Sequence, residues 1–132
     1  MTPSLVPGFE QPGLMRYLAG VNDEGLDRLG FGVIGFGKET DAIVVRYNAF
    51  ERQCSGLNPS RVLGLPLFSV VAQCMNNYLV AQRFDDSVQA GRELDATLDF
   101  TFTLRMKATP VRLRLLSSPD HPTQFIAVLR QP

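Results

Sequence analysis

The sequence predicts an α+β domain: a five-stranded antiparallel sheet with helices on one side and an N-terminal cap. Three observations predict it. Residues 30–36 and 42–47, rich in Val, Ile, Phe and Tyr, flank a short turn near the start. Three strand-like runs close the chain, and residues 95–106 alternate Leu98, Phe100, Phe102, Leu104 and Met106 with other partners. Between the two groups lie short helical segments and one longer helical stripe. That order puts helices against one face of an antiparallel sheet.

The elements follow in turn. Pro3, Pro7, Gly8, Pro12 and Gly13 punctuate the first segment. Residues 1–25 are expected to form a loosely packed cap containing a short helix over 14–19, and the main domain spans 26–132. A second short helix is expected near 25–29. Residues 37–41 make the first hairpin turn. Residues 49–63 carry Gly56, Asn58 and Pro59, which suit short helices broken by turns. Asn76 or Asn77 caps the next helix. Over 78–90, Tyr78, Leu79, Ala81, Phe84 and Val88 form its apolar stripe, and Gly91 stops it. Residues 110–116 and 124–130 are the last two strands.

Bulk properties exclude several functions. The chain has 132 residues, enough for one domain with its own core. Thirteen basic and thirteen acidic side chains cancel, which argues against nucleic acid and anionic membranes as partners. Two cysteines, Cys54 and Cys74, are no disulfide framework, and a reducing cytoplasmic setting is expected. No signal peptide and no membrane span is visible.

Three residues carry chemistry together. Tyr47 and Glu51 stand in Tyr47-Asn48-Ala49-Phe50-Glu51, and Cys74 ends Val71-Ala72-Gln73-Cys74. A thiol can hold a ligand covalently, while a phenol and a carboxylic acid can hydrogen-bond its charged end. Taken singly, each has a plainer reading: a buried small hydrophobe for Cys74, a strand residue for Tyr47, a solvated helix charge for Glu51. Cys54 reads as a core or partly buried thiol, and His121 as a surface turn residue. Asp85 and Asp86 are adjacent on a helix and point apart, so they read as a solvated face.

Taken as a set, with Leu26 to Ile34 and Phe100-Thr101-Phe102, these motifs resemble the photoactive yellow proteins, blue-light sensors of the PAS fold. The resemblance runs from about Leu26 to Leu129. It implies a p-coumaroyl (4-hydroxycinnamoyl) thioester on Cys74, with Tyr47 and Glu51 donating hydrogen bonds to its phenolate. It implies Ser55 as a partner of Tyr47, and Ile34, Val71, Ala72, Phe102 and Met106 as pocket residues. The chain departs from the family at Leu57, in place of an arginine, at Leu104, in place of a tyrosine, and at Gln73, in place of a proline. The partners implied are an unidentified downstream signalling protein and, at most, a weak homodimer.

The physical logic stands beside the resemblance. A buried phenolate needs compensation for lost water. Glu51 donates only when protonated, so burial must raise its pKa. Loss of its proton is expected to leave a lone buried carboxylate, which is costly without a partner and loosens the core and the cap. Two other readings compete: a PAS sensor for a small ligand or partner protein, and a cysteine enzyme pairing Cys74 with His121. The second needs the two within hydrogen-bond reach, and the expected fold puts His121 in a distant hairpin turn.

Overall fold

The computed structural model describes residues 6–103 and 108–130. Five strands form one antiparallel sheet: β1 (Gly32–Gly37), β2 (Val44–Tyr47), β3 (Leu94–Phe102), β4 (Thr109–Ser117) and β5 (Thr123–Arg130). Their order is β2-β1-β5-β4-β3, so the first and last strands pair at the centre. The helices are α1 (Leu14–Gly20), α2 (Asp23–Leu26), α3 (Ala49–Ser55) and α4 (Ala81–Ala90). Short 3₁₀ turns at Pro59–Arg61 and Gln73–Met75 flank a π turn at Leu67–Val71.

The sheet separates two apolar cores. On one face, Ile34, Phe36, Val111, Leu113, Leu115, Ile126 and Val128 meet Val62, Leu67, Met75, Val80 and Phe84 of the helical segments. On the other, Phe31, Val33, Leu116, Phe125 and Ala127 meet Phe9, Leu14, Leu18, Leu26 and Leu29 of the N-terminal segment. The split follows from strand geometry: neighbouring residues of β5 point to opposite faces, so Ile126 and Val128 serve one core, Phe125 and Ala127 the other.

The cap is therefore firmly packed, contrary to the expectation of loose packing. Leu14 and Leu18 are fully buried, and each such leucine contributes about 1.5–3 kcal/mol. Two arginines also hold it. Arg114 of β4 donates to the carbonyls of Phe9 and Gln11, both at 2.9 Å, and pairs with Asp95 at 2.8 Å. Arg46 of β2 donates to the carbonyls of Leu18 and Val21.

Element positions differ from expectation in a few places. The strand expected from residue 42 begins at Val44, because Ala42 lies in the left-handed region at φ 49°. The outer edge of β2 is not left bare: Val44 exchanges backbone hydrogen bonds with Gly64 and Leu65. The helix expected from Tyr78 begins at Ala81. Neither asparagine caps it: the N-cap is Val80, which makes no side-chain cap bond, and Asn77 closes the turn before the helix, its Oδ1 accepting from the amides of Leu79 and Val80. Val80, Phe84 and Ser87 then set the buried stripe, and Tyr78, outside the helix, is 76 % exposed. Gly91 closes α4 at φ 65°, as expected. In β3, alternate residues face the core, as the period-two pattern predicts.

Candidate functional site

The site is built on α3 and the sheet edge beside it. Asn48 caps α3, its Oδ1 accepting from the Glu51 amide at 3.2 Å and the Val33 amide at 2.8 Å. Its Nδ2 donates to the carbonyls of Leu26 and Phe31, both at 3.0 Å. This fully buried amide thereby fixes the start of α3 to β1 and to the end of α2, next to the cap. One turn into the helix, Glu51 points inward and is buried.

Tyr47 ends β2 opposite Ile34 of β1. Its hydroxyl hydrogen-bonds the Ser55 hydroxyl, as expected. Burial pushes the phenol from its ordinary 10.0 up to about 12, against the Ser55 bond that lowers it. Tyr47 is thus neutral at ordinary pH, with a proton available to donate.

Glu51 has a partner that the sequence reading lacked. Arg130, at the end of β5, holds its carboxylate with both guanidinium nitrogens, at 2.6 and 3.0 Å. The Arg130 guanidinium also lies 5.8 Å from the Phe102 ring centroid, within cation–π range. Burial raises the Glu51 pKa, as expected, while the Arg130 hydrogen bonds and charge pull it back. A carboxylate formed here is paired, which corrects the expectation of a lone buried anion. Gly32 makes the arrangement possible: a Cβ there would stand 2.0 Å from Glu51 Oε1.

The same apolar core gathers the remaining residues. Ile34, Tyr47, Ala72 and Phe102 are buried members, with Leu57, Val71 and half-buried Cys74 packed against them. Cys74 sits in the 3₁₀ turn that follows the π turn, and its carbonyl accepts from Asn77 Nδ2 at 3.0 Å. Leu104 and Met106 lie outside the described residues. A cleft of about 610 Å³ opens elsewhere, lined by Phe36, Phe68, Phe84 and the first hairpin turn; Tyr47, Glu51 and Cys74 do not line it.

Other expectations divide. Cys54 is exposed, not buried: the side of α3 that turns inward carries Glu51 and Ser55, which leaves Cys54 on the solvent side. His121 lies in the β4–β5 turn, where its Nδ1 accepts from the Thr123 amide at 3.2 Å. Its ring lies near Phe125, a member of the cap-side core, whereas Cys74 packs against the opposite core. The two are on different faces of the sheet, which removes the Cys74–His121 enzyme reading. Asp85 and Asp86 are exposed and bonded to Gln89 and Gln82, as a solvated face requires. No metal-holding group and no helix long and apolar enough to cross a membrane occurs among the described residues.

Two residues escaped the sequence reading. Arg130 was signalled by period: Ile126, Val128 and Arg130 share one face of β5. Asn48 was signalled by its place before an apolar–acidic helical turn, where an N-cap is expected.

Known proteins resemble this chain over nearly its whole length, although no family model matches it. Relatives named photoactive yellow protein, from Halochromatium salexigens and Rhodothalassium salexigens, are each 30% identical over 122 residues, which is 92% of this chain and 95% of theirs. The crystal structure of the photoactive yellow protein domain from the sensor histidine kinase Ppr of Rhodospirillum centenum superposes with a TM-score of 0.77 at 31% identity. That match covers 88% of this chain and 99% of the domain. Solved LOV and PAS domains, at 18% identity or below, share the fold alone. The sheet order, the capped α3 with Tyr47 and Glu51, and these likenesses together place the chain in the photoactive yellow protein family of PAS photoreceptors.

Proposed function

We propose that this protein is a blue-light photoreceptor that carries p-coumaric acid as a thioester on Cys74. The observation that carries the reading is the single apolar core in which Tyr47, Ala72 and Phe102 are buried and Cys74, Leu57 and Val71 form the margin. The residues fit such a group. Cys74 is accessible enough to be acylated, its surroundings are apolar, and Tyr47 keeps a proton to donate. When bound, the group supplies a blue-absorbing double bond that light isomerises.

The chain's own residues do the rest. Tyr47, oriented by Ser55, donates a hydrogen bond to the phenolate, which favours the charged form. Glu51, raised in pKa by burial against the pull of Arg130, is the group placed to give up a proton after isomerisation. Ile34, Val71, Ala72 and Phe102 exclude water from the ligand. The change is passed to the cap, residues 1–25, and to an unidentified downstream signalling protein, with no substrate turned over.

A second reading has two observations in its favour. Glu51 is engaged by Arg130 and Leu57 adds apolar surface, an arrangement suited to a PAS sensor of a small ligand. An absorption spectrum after reaction with activated p-coumaric acid separates the two. A blue-absorbing band that bleaches in light, recovers in the dark and is absent in Cys74→Ala is expected. A colourless protein without an acyl adduct by mass would leave the ligand sensor.

A further inference from the structure

Arg130 is placed where the reaction needs a cation. It enters the site from β5, where it faces Val111 of β4 and follows Ile126 and Val128 on the same face. It is half-buried, while Glu51 is almost wholly so, and the two meet through two charge-assisted hydrogen bonds. The Phe102 ring lies beside the guanidinium and Gly32 leaves room for the carboxylate. The other titratable or charged groups around the pair are Tyr47, Arg52 and Cys54. Arg52 is drawn to Asp27 at 3.9 Å, on the solvent side.

We infer that Arg130 is a positioning residue for Glu51: it captures the carboxylate once the proton has left and so prolongs the ionised state. The inference rests on the photoreceptor reading for its kinetic consequence, but not for its electrostatic one. In the transfer, the Glu51 Oε–H bond breaks, its electron pair stays on Glu51, and the proton goes to the phenolate oxygen. The carboxylate left behind meets Arg130 already in place. Removing one partner of such a buried pair leaves an uncompensated charge, which is the more costly arrangement. Arg130 therefore lowers the free energy of the state after proton transfer and slows the return of the proton. It brings a positive charge to Glu51 from β5, whereas Leu57, in the loop after α3, brings none.

The test has two arms, both on the full chain. In the protein without ligand, carboxyl-labelled glutamate followed by NMR, with Glu51→Gln to assign the signal, reports the ionisation of Glu51. Arg130→Gln is expected to raise its titration midpoint by roughly 1–3 units, and Arg130→Lys by less. In the loaded protein, Arg130→Gln is expected to speed dark recovery by about tenfold or more, since an upward shift of one unit is a tenfold change in proton affinity; Arg130→Lys restores part of the lifetime. An unchanged Glu51 titration in Arg130→Gln overturns the inference; if that variant does not fold, an unchanged titration in Arg130→Met does so. Recovery in Arg130→Gln as slow as in the native chain overturns it as well. Failure of the native chain to take up p-coumaric acid would sink the photoreceptor reading, while the first arm would still decide the role of Arg130.

Discussion

Asn48 and Glu51 are joined by one hydrogen bond across the first turn of α3, and the same Asn48 oxygen also holds the Val33 amide of β1. The proton donor of the proposed site is thus positioned by a residue that also binds the end of α2, next to the cap, through the carbonyl of Leu26.

Asn48→Ala would take away the partner of the Val33 amide and of the Phe31 carbonyl, while the Leu26 carbonyl keeps the Leu29 amide. Each buried orphan costs about 1–3 kcal/mol when water cannot reach it. A loss of about 3 kcal/mol is expected, measured by urea unfolding. A loss below about 1 kcal/mol would mean that Asn48 is not the hub described.

Gly32→Ala would put a methyl group against Glu51 Oε1. Glu51 must then turn from Arg130, and stability should fall by about 1–3 kcal/mol. Gly8→Ala meets nothing within 4 Å and is the control, expected to stay within about 0.5 kcal/mol. Equal losses in the two variants would contradict the close approach at Gly32.

Tyr47 gives a prediction in pH. Its folded pKa is raised, to about 12 from 10.0, so the folded state holds the proton more tightly than the unfolded chain. The stability it contributes is full below the unfolded value and is lost as pH rises through the folded one. Unfolding free energy should therefore fall by about 2 kcal/mol between pH 10 and 12 on this account alone. Tyr47→Phe should show a correspondingly shallower alkaline fall when both are followed by chemical denaturation.

Arg114→Met should loosen the cap without disturbing the site. The variant loses the bonds to Phe9 and Gln11 and the pairing with Asp95. Amide exchange over residues 9–20 is expected to quicken by about tenfold, while central β5 stays protected. Uniform acceleration through the sheet would show instead that the cap and the sheet open as one unit.

Local pattern made much of this legible. The alternation of β3 and the Gly91 stop depend on neighbours within one element or one turn; the Tyr47–Ser55 pair joins the ends of β2 and α3 and was expected only from the family resemblance. The Glu51–Arg130 pair spans 79 positions of sequence, and no local period links its two ends. The start of α4 was misplaced for a related reason. Tyr78 and Leu79 are apolar and fit the helical spacing, but Asn77 takes the amides of Leu79 and Val80 into a turn first. The firmness of the cap was hidden by its prolines and glycines, which describe the chain between Leu14 and Leu18 poorly because those two side chains, not the backbone, anchor it.

The alternation of β5 has a mechanical consequence. A single strand carries Arg130, Val128 and Ile126 toward the site and Phe125 and Ala127 toward the cap, and α1 packs against it. Its ladders to β1 and β4 fix both sets of side chains in register with each other. The two cores therefore share one wall, so a change of side-chain packing on the Glu51 side bears on the same backbone that carries the cap-side residues.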